Sequence, residues 1–214
     1  MLQLQSFTFN PFQENTYIIS NEKNQCWIID PGMYDTTETN HLITHIDHNH
    51  LTPQAIINTH THIDHIFGVQ PLKDRYNIPF HIHHADLPVL QNAPAAAAMF
   101  GLQLSAPPQP YSFIDHHQPL HLGTHTLHIT HTPGHSPGSI SLYYPEGNWV
   151  ISGDVRFRNS IGRTDLPGGN HHTLLSSIRT PLLPLPPHTT VYSGHGPTTT
   201  IAEEIKHNPF LQTP

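Results

Sequence analysis

The chain has 214 residues, 36% of them hydrophobic and only 11% charged, and its formal net charge is −7 with histidine neutral. This length fits one domain, residues 1–214, which can bury a hydrophobic core without disulfide bonds. Fifteen acidic residues against eight basic ones, with no basic run, argue against a nucleic acid as the main partner.

The first half of the chain is predicted to form a sheet covered by helices. Residues 2–9 alternate apolar and polar side chains, which is typical of a half-buried strand and unlike a secretion signal. Cys26 lies in an apolar run and is expected in a buried strand. The other predicted strands are residues 15–20, 26–29, 54–58 and 80–83. The predicted helices are residues 36–50, residues 64–76 and one that begins near Ala85.

The second half repeats this order of elements. Residues 94–110 are rich in alanine and proline and are predicted to form a short helix and a rigid connector between the halves. Strands are predicted at residues 119–122, 125–130, 139–144, 148–152 and 190–193, with helices at 171–180 and 200–207. The pattern predicts two similar halves, each a sheet with helices on one face. Because no segment approaches about 20 apolar residues, we expect a cytoplasmic protein with no membrane contact.

The densest group of metal-ligand residues directly follows the strand at 54–58. His60, His62, Asp64 and His65 stand within six residues of one another. Alternate side chains of an extended segment point the same way, so His60 and His62 can share one target while Asp64 and His65 reach a neighbouring point. Three imidazoles and a carboxylate favour zinc, iron or manganese over calcium or magnesium.

Three later motifs each place one further ligand-type residue beside glycine, just after a predicted strand. They are Thr132-Pro133-Gly134-His135-Ser136-Pro137-Gly138, Ser152-Gly153-Asp154 and Ser193-Gly194-His195-Gly196-Pro197. Glycine allows the close backbone approach that a tight metal loop needs. The seven candidate ligands are His60, His62, Asp64, His65, His135, Asp154 and His195. Seven groups exceed one tetrahedral site and suit two divalent ions that share a carboxylate.

These motifs, together with residues 161–166 (Ile-Gly-Arg-Thr-Asp-Leu), resemble the metallo-β-lactamase superfamily along essentially the whole chain. Within it the chain is most similar to the short glyoxalase II-like hydrolases. The resemblance implies an α/β fold, a four-layer αβ/βα sandwich with two metal ions, most often zinc, at one edge of the paired sheets.

The resemblance also implies a division of roles among the seven ligands. The first metal would take His60, His62 and His135, and the second would take Asp64, His65 and His195, with Asp154 bridging the two. A bridging water of lowered pKa would attack the carbonyl of a small-molecule thioester. Asp64 would be the catalytic residue that orients this hydroxide.

One departure concerns recognition of the substrate. Full-length glyoxalase II enzymes carry a C-terminal helical domain with basic residues for glutathione, whereas only 19 residues follow His195 here. Arg163 is therefore the main candidate for substrate binding, with Arg156 or Arg158 as other anion-binding candidates. An ion pair of Arg163 with Asp165 is the competing structural interpretation.

The surplus histidines are interpreted mainly as substitutes for charged surface residues. His41, His45 and His48 lie off or at the edge of the apolar stripe of the predicted helix 36–50, and His171 and His172 are expected to open a helix. A second metal cluster at residues 81–84 is disfavoured, because His81 and His83 should point away from His84. The histidines at positions 116, 117, 121, 125, 128 and 131 are likewise expected mostly at the surface.

Three other functions remain open on the sequence alone. A mononuclear iron persulfide dioxygenase shares the Gly-Arg-Thr-Asp segment, but Asp64, His65 and His195 together supply a complete second site, which disfavours it. A lactone hydrolase would use the same centre on a ring ester. A histidine-rich metal buffer would not need ordered ligands at strand ends. The sequence leaves the acyl group, the thiol carrier and the oligomeric state undetermined.

Overall fold

The first half of the chain forms a six-stranded sheet in a computed structural model, which describes residues 1–212. The strand order is β1-β2-β3-β4-β5-β6. The first three strands form an antiparallel meander, and the pairs from β3 to β6 are parallel. The strands are β1 (Gln3–Phe9), β2 (Glu14–Ser20), β3 (Gln25–Ile29), β4 (Thr52–Ile57), β5 (Phe80–His83) and β6 (Ser112–Ile114).

The second half forms another six-stranded sheet, in the order β14-β13-β10-β9-β8-β7. All its pairs are antiparallel except β10 with β13. Its strands are β7 (Leu120–Leu122), β8 (His125–His131), β9 (Ile140–Tyr144), β10 (Trp149–Gly153), β13 (Thr190–Ser193) and β14 (Thr199–Thr200). A two-stranded hairpin lies beside it, formed by β11 (Arg156–Phe157) and β12 (Ser160–Ile161).

Helices cover the outer face of each sheet, as the layered packing shows. They are α1 (Thr36–His48), α2 (Val69–Tyr76), α3 (Leu87–Gln91), α4 (Ala93–Met99), α5 (His171–Ser177) and α6 (Ile201–His207). Ile18 of β2 packs into the core under the first helices, while its neighbours Tyr17 and Ile19 face the core between the sheets. A third core joins Val150 and Val191 to residues of α5 and α6. The four-layer αβ/βα sandwich expected from the sequence is confirmed.

The main difference from the expected elements lies around the histidine-rich loop. The helix predicted at 64–76 begins only at Val69, and residues 63–65 form a single 3₁₀ turn. The backbone carbonyls of Asp64 and His65 accept hydrogen bonds from the amides of Asn10 and Asn58 instead of continuing a helix. The strand β6 and the hairpin β11–β12 were not predicted, because two- and three-residue strands carry too little periodicity to recognise.

Two other expectations concern burial and membranes. Cys26 is fully buried in β3, as predicted. Among the residues that the structure describes, no helix has the length and apolar character needed to cross a bilayer.

Candidate metal centre

The loop after β4 is held by its non-histidine residues, so that its histidines are free to point inward. The Asn58 amide donates to the carbonyl oxygens of His60 and His65, at 3.1 and 2.7 Å. Thr59 donates from its backbone N–H and its hydroxyl to the buried Asp30 carboxylate, at 2.6 Å each. Thr61 similarly donates to Asp86. Satisfied backbone groups on both sides of His60 fix the loop in an extended form.

The first group of ligand atoms consists of His60, His62 and His135, whose nitrogens lie within 4.8 Å of one another. Nδ1 of His62 and Nε2 of His135 are 2.8 Å apart. The ring centroids of His60 lie 4.9 Å from His62 and 4.8 Å from His135. Nδ1 of His135 is 2.8 Å from the carbonyl oxygen of Arg163. That contact leaves the Nε2 lone pair of His135 facing the other two rings.

The second group consists of Asp64, His65 and His195. Nε2 of His195 lies 3.2 Å from Oδ2 of Asp64, and Nε2 of His65 lies 3.9 Å from the same oxygen. Nδ1 of His195 is 2.9 Å from the carbonyl oxygen of Phe12, so its Nε2 is directed to the centre. Nδ1 of His65 faces Asp30 at 3.2 Å. His65 and His195 therefore each have an oxygen atom close to Nδ1, and each directs Nε2 toward the centre.

Asp154 connects the two groups. Its Oδ2 atom lies 3.5 Å from Nε2 of His135 and 3.4 Å from Nε2 of His195. Its Oδ1 atom lies 3.4 Å from Nε2 of His65. One carboxylate thus approaches both the three-histidine group and the acid-containing group. All seven sequence-predicted candidates are brought together at one edge of the sandwich.

Glycine and a second buried carboxylate bring the distant loops to this edge. Gly153 has φ +49°, and a Cβ there would collide with Thr59. A Cβ at Gly194 would collide with Asp154 itself, so only glycine fits beside the bridging carboxylate. Asp86 accepts hydrogen bonds from Ser136 and from the N–H of Gly138. Together with its bond to Thr61, Asp86 ties the His135 loop to the His60 loop.

His195 reaches the centre because strand β2 of the first sheet holds its loop. Asn15 donates its backbone N–H to Gly194 at 2.7 Å and its amide to Gly196 at 2.8 Å. The Tyr17 hydroxyl donates to the carbonyl of Ser193 at 2.6 Å. These supporting residues, and likewise Asp30 and Asp86, were not predicted from the sequence. For Asp30 the available signal was its place directly after the predicted strand 26–29 and before Pro31-Gly32.

The electrostatics of the two groups differ. Burial lowers the pKa of His60 well below its usual value, and burial with the neighbouring His135 lowers the pKa of His62 to about 3. Burial also opposes a charge on His65, yet Asp64 and Asp154 hold its pKa well above the usual value. The pKa of His195 rises to about 10 against its burial, because the same two carboxylates accept from it. In the first group His60 and His62 are therefore neutral imidazoles, whereas the second group demands a positive charge.

This charge demand is a test of whether metal ions fit. Four carboxylates surround His65: those of Glu14, Asp30 and Asp154 are buried, and that of Asp64 is partly buried. Within the described residues, Nε2 of His60, Nε2 of His65 and Oδ1 of Asp154 are buried without a hydrogen-bond partner. Unpartnered buried polar atoms are costly unless something else satisfies them. The donor set of imidazole nitrogens and carboxylate oxygens fits divalent transition metals.

An apolar cavity of about 700 Å³ opens onto the centre. Its walls come from α3, α4, the β11–β12 hairpin and the loop after it, and include Phe12, Val89, Ala96, Phe100, Phe157, Ile161 and Leu166. Arg163 also lines it, but its guanidinium is paired with Asp165 at 2.7 Å through two nitrogens, and both side chains are exposed. The ion pair expected from the sequence is therefore present.

The other two arginines do not serve as anion-binding groups in this cavity. Arg156 is fully buried and donates to the carbonyl of Thr200 at 3.3 Å, so the prediction that it binds an anion is wrong. Its guanidinium lies near Thr200 and Glu204 at the start of α6, and Arg156 is not among the residues that line the cavity. Arg158 lines a separate polar surface depression with Thr190 and Glu203.

Only some of the histidines outside the Asp154 centre lie at the surface, where they were predicted. His41, His48, His171 and His172 are exposed, as are those at 117, 121 and 128. His45 is half-buried with its ring against Phe7, at 4.8 Å between centroids. His116 and His131 are also partly buried, both beside the fully buried His83. His84 lies against His83 at 4.5 Å instead of facing away, because β5 ends at His83 and a 3₁₀ turn begins.

Comparisons with known proteins agree with this geometry. The family model of the metallo-beta-lactamase superfamily matches residues 9–195. The chain is 36% identical to hydroxyacylglutathione hydrolase GloC of Haemophilus influenzae over 94% of each chain. The crystal structure of BLEG-1 B3 metallo-beta-lactamase superposes with a TM-score of 0.91 and 41% identity, over 99% of this chain and 100% of that one. The structure of TTHA1623 in a di-iron-bound form gives a TM-score of 0.86 and 40% identity, over 97% and 100%.

Proposed function

This chain belongs to the metallo-β-lactamase superfamily, and from that membership and the geometry of its site we propose that it is a dinuclear metallohydrolase that cleaves a small thioester. The observation that carries the proposal is the position of Asp154. Its Oδ2 atom is 3.5 Å from His135 and 3.4 Å from His195, so one carboxylate serves two groups of ligand atoms. A mononuclear enzyme would not require the second group.

The first ion would be held by His60, His62 and His135 and the second by Asp64, His65 and His195, with Asp154 shared. We propose zinc as the metal; the di-iron form of TTHA1623 makes iron the main competitor. Divalent ions bound there would supply Lewis acidity, which polarises a carbonyl oxygen and lowers the pKa of water.

Asp64 is the proposed catalytic residue. Burial acts to raise its pKa, but the charge of His65 and a hydrogen bond from His195 hold the pKa below its usual value. Its carboxylate therefore stays ionised and can accept a hydrogen bond from the attacking water. The exposed fraction of Asp64 is small and its side chain lies on the cavity wall. Asp64 can thus orient water toward a carbonyl group that enters from the cavity.

The cavity favours a substrate with an apolar part. Aromatic and aliphatic side chains dominate its wall. Among the described residues that line it, Arg163 is the one arginine or lysine. Desolvation by these walls strengthens every charge interaction at the centre. The hydroxyacylglutathione hydrolase named among the relatives supports a thioester as the bond that is cleaved. We propose an acylated small thiol whose acyl group fills the apolar cavity and whose thiol part lies toward Arg163.

The test is elemental analysis of the purified chain together with a panel of substrates. The panel contains thioesters of glutathione and of smaller thiols, lactones, a persulfide and a β-lactam. We expect about two equivalents of metal at the Asp154 centre and the highest kcat/KM with a thioester. Iron with oxygen uptake on the persulfide would instead identify a dioxygenase. A preference for a lactone or a β-lactam would overturn the thioester proposal while leaving the dinuclear centre intact.

A further inference from the structure

Three histidines from three separate elements meet at a corner outside the Asp154 centre. His83 ends β5, His116 follows β6, and His131 ends β8. One nitrogen of each ring lies within 4.8 Å of the others. The rings of His83 and His131 stack with centroids 4.2 Å apart and an interplanar angle of 22°. His116 lies 5.2 Å from His83 and 5.1 Å from His131, measured between centroids.

The nitrogens of His83 and His116 are spaced nearly as two ligands around one ion would be. Nε2 of His83 and Nδ1 of His116 are 3.1 Å apart. Two nitrogens bound tetrahedrally at about 2.0–2.1 Å would be separated by about 3.4 Å, so only a small adjustment is needed. Nε2 of His131 is 2.9 Å from the carbonyl oxygen of Pro137. If that nitrogen carries the proton, as a carbonyl partner requires, Nδ1 of His131 is left as an unprotonated donor.

The state of the rings also suits a metal. His83 is only 2% exposed. Burial, with the neighbouring rings of His131 and His84, lowers the pKa of His83 to about 4, and burial and His117 lower the pKa of His116. His83 and His116 are thus neutral at pH 7, as metal binding requires. Asp115 and His117 form another group of ligand atoms with His116, so further donors adjoin the same corner.

We propose that His83, His116 and His131 bind an additional borderline transition-metal ion, such as Zn²⁺ or Ni²⁺, separate from the two at the Asp154 centre. Three imidazoles are a ligand set that these ions prefer over Mg²⁺ or Ca²⁺. Because His83 ends a strand of the first sheet, His116 follows another strand of that sheet and His131 ends a strand of the second sheet, the ion links the two sheets. It therefore stabilises the folded chain, and the stabilisation grows with the logarithm of the free ion concentration once that concentration exceeds the dissociation constant. This site is independent of the thioester proposal.

The experiment measures metal content and melting temperature of the full chain equilibrated with buffered Zn²⁺, and the optical spectrum with Co²⁺. The wild type should bind one equivalent more than His116→Gln and His131→Gln, and its melting temperature should rise further with zinc. Both variants should retain the metal of the Asp154 centre and the hydrolytic activity. His128→Gln is the matched control, because His128 is an exposed histidine of the same strand as His131.

A difference of one equivalent that appears in His116→Gln and His131→Gln but not in His128→Gln would support the site. Equal metal content in the wild type and all three variants would overturn it, as would loss of the extra equivalent in His128→Gln. His116 and His131 are replaced in preference to His83 because they are only partly buried, so their replacement disturbs the packing of the core less. The wild-type stoichiometry gives a result even if a variant fails to fold, since saturation without any additional equivalent would also refute the proposal.

Discussion

Oδ2 of Asp30 lies 3.2 Å from Nδ1 of His65, and both side chains are buried. The same carboxylate accepts both hydrogen bonds from Thr59, which precedes the first candidate ligand. Asp30 therefore contacts both the ring of His65 and, through Thr59, the loop that carries His60. An imidazole with a carboxylate at one nitrogen presents the other nitrogen, here Nε2, in a fixed direction and with raised basicity.

Replacing Asp30 with Asn should weaken metal binding without removing any ligand. We expect the affinity for the ion held by Asp64, His65 and His195 to fall by about 10- to 100-fold, which is the usual effect of losing such a supporting carboxylate. Competition with a chelator of known affinity measures this change. Asp47→Asn is the control, because Asp47 pairs with Arg75 on the exposed side of α1. Equal affinities in the two variants would show that Asp30 only shapes the loop.

Replacing Asp154 with Ala should affect both ions. Asp154 is the carboxylate that approaches His65, His135 and His195 together. We expect the metal content of the Asp154 centre to fall for both ions, and kcat/KM to drop by about 10²- to 10³-fold, the scale seen when one electrostatic catalytic group is lost. Elemental analysis and thioester turnover measure the two effects, and Asp47→Ala serves as the control. Retained turnover with two bound ions would contradict the shared role of Asp154.

Much of the fold and of the candidate site could be predicted from the sequence, because the features that indicate them are local patterns of residues. Strand periodicity and glycine-flanked motifs at strand ends indicated both sheets and all seven side chains that converge. The supporting contacts were not predictable, since they join distant loops: Asp86 lies 25 residues from Thr61 and 50 from Ser136. The cluster of His83, His116 and His131 was missed for the same reason, because each histidine alone looks like a surface residue. Burial of Arg156 depended on a two-residue strand that carries no detectable pattern.

Arg163 should affect substrate binding more than turnover. Its guanidinium lines the cavity but is held by Asp165 in an exposed pair, and such pairs contribute little to stability. Arg163→Gln should raise KM for an anionic thioester by about two- to fivefold with kcat unchanged, the scale of an exposed ionic contact. Asp165→Asn frees Arg163 and should lower the same KM. If a thioester with a neutral thiol part shows the same shifts, Arg163 does not contact the substrate's charge.

Filling the cavity should change the selectivity for acyl groups. Ala96 of α4 lines the apolar wall, whereas Ala95 is exposed on the same helix and is not among the lining residues. Ala96→Leu should lower kcat/KM for a long acyl group by about tenfold and leave a short one unchanged, since one to three kcal/mol is typical of such pocket contacts. Ala95→Leu should leave both substrates unaffected. A uniform loss across acyl lengths would indicate a disturbed helix and not a filled pocket.

His45 should make stability depend on pH without affecting the metal centre. Its ring packs edge-on against Phe7, and burial, with His41 and His48 nearby, lowers its pKa in the folded chain. In the unfolded chain a histidine takes up its proton near pH 6.5, so as pH falls from about 6.5 the unfolded state binds a proton before the folded state does. Folded-state stability contributed by His45 is thus present above that pH and is lost as pH falls toward the lower folded pKa. His45→Gln should therefore show a smaller drop in melting temperature between pH 7 and pH 5 than the wild type, with metal content and thioester turnover unchanged. His48→Gln, an exposed position of the same helix, controls for removing a histidine from α1, and an identical drop in His45→Gln and the wild type would contradict the assignment.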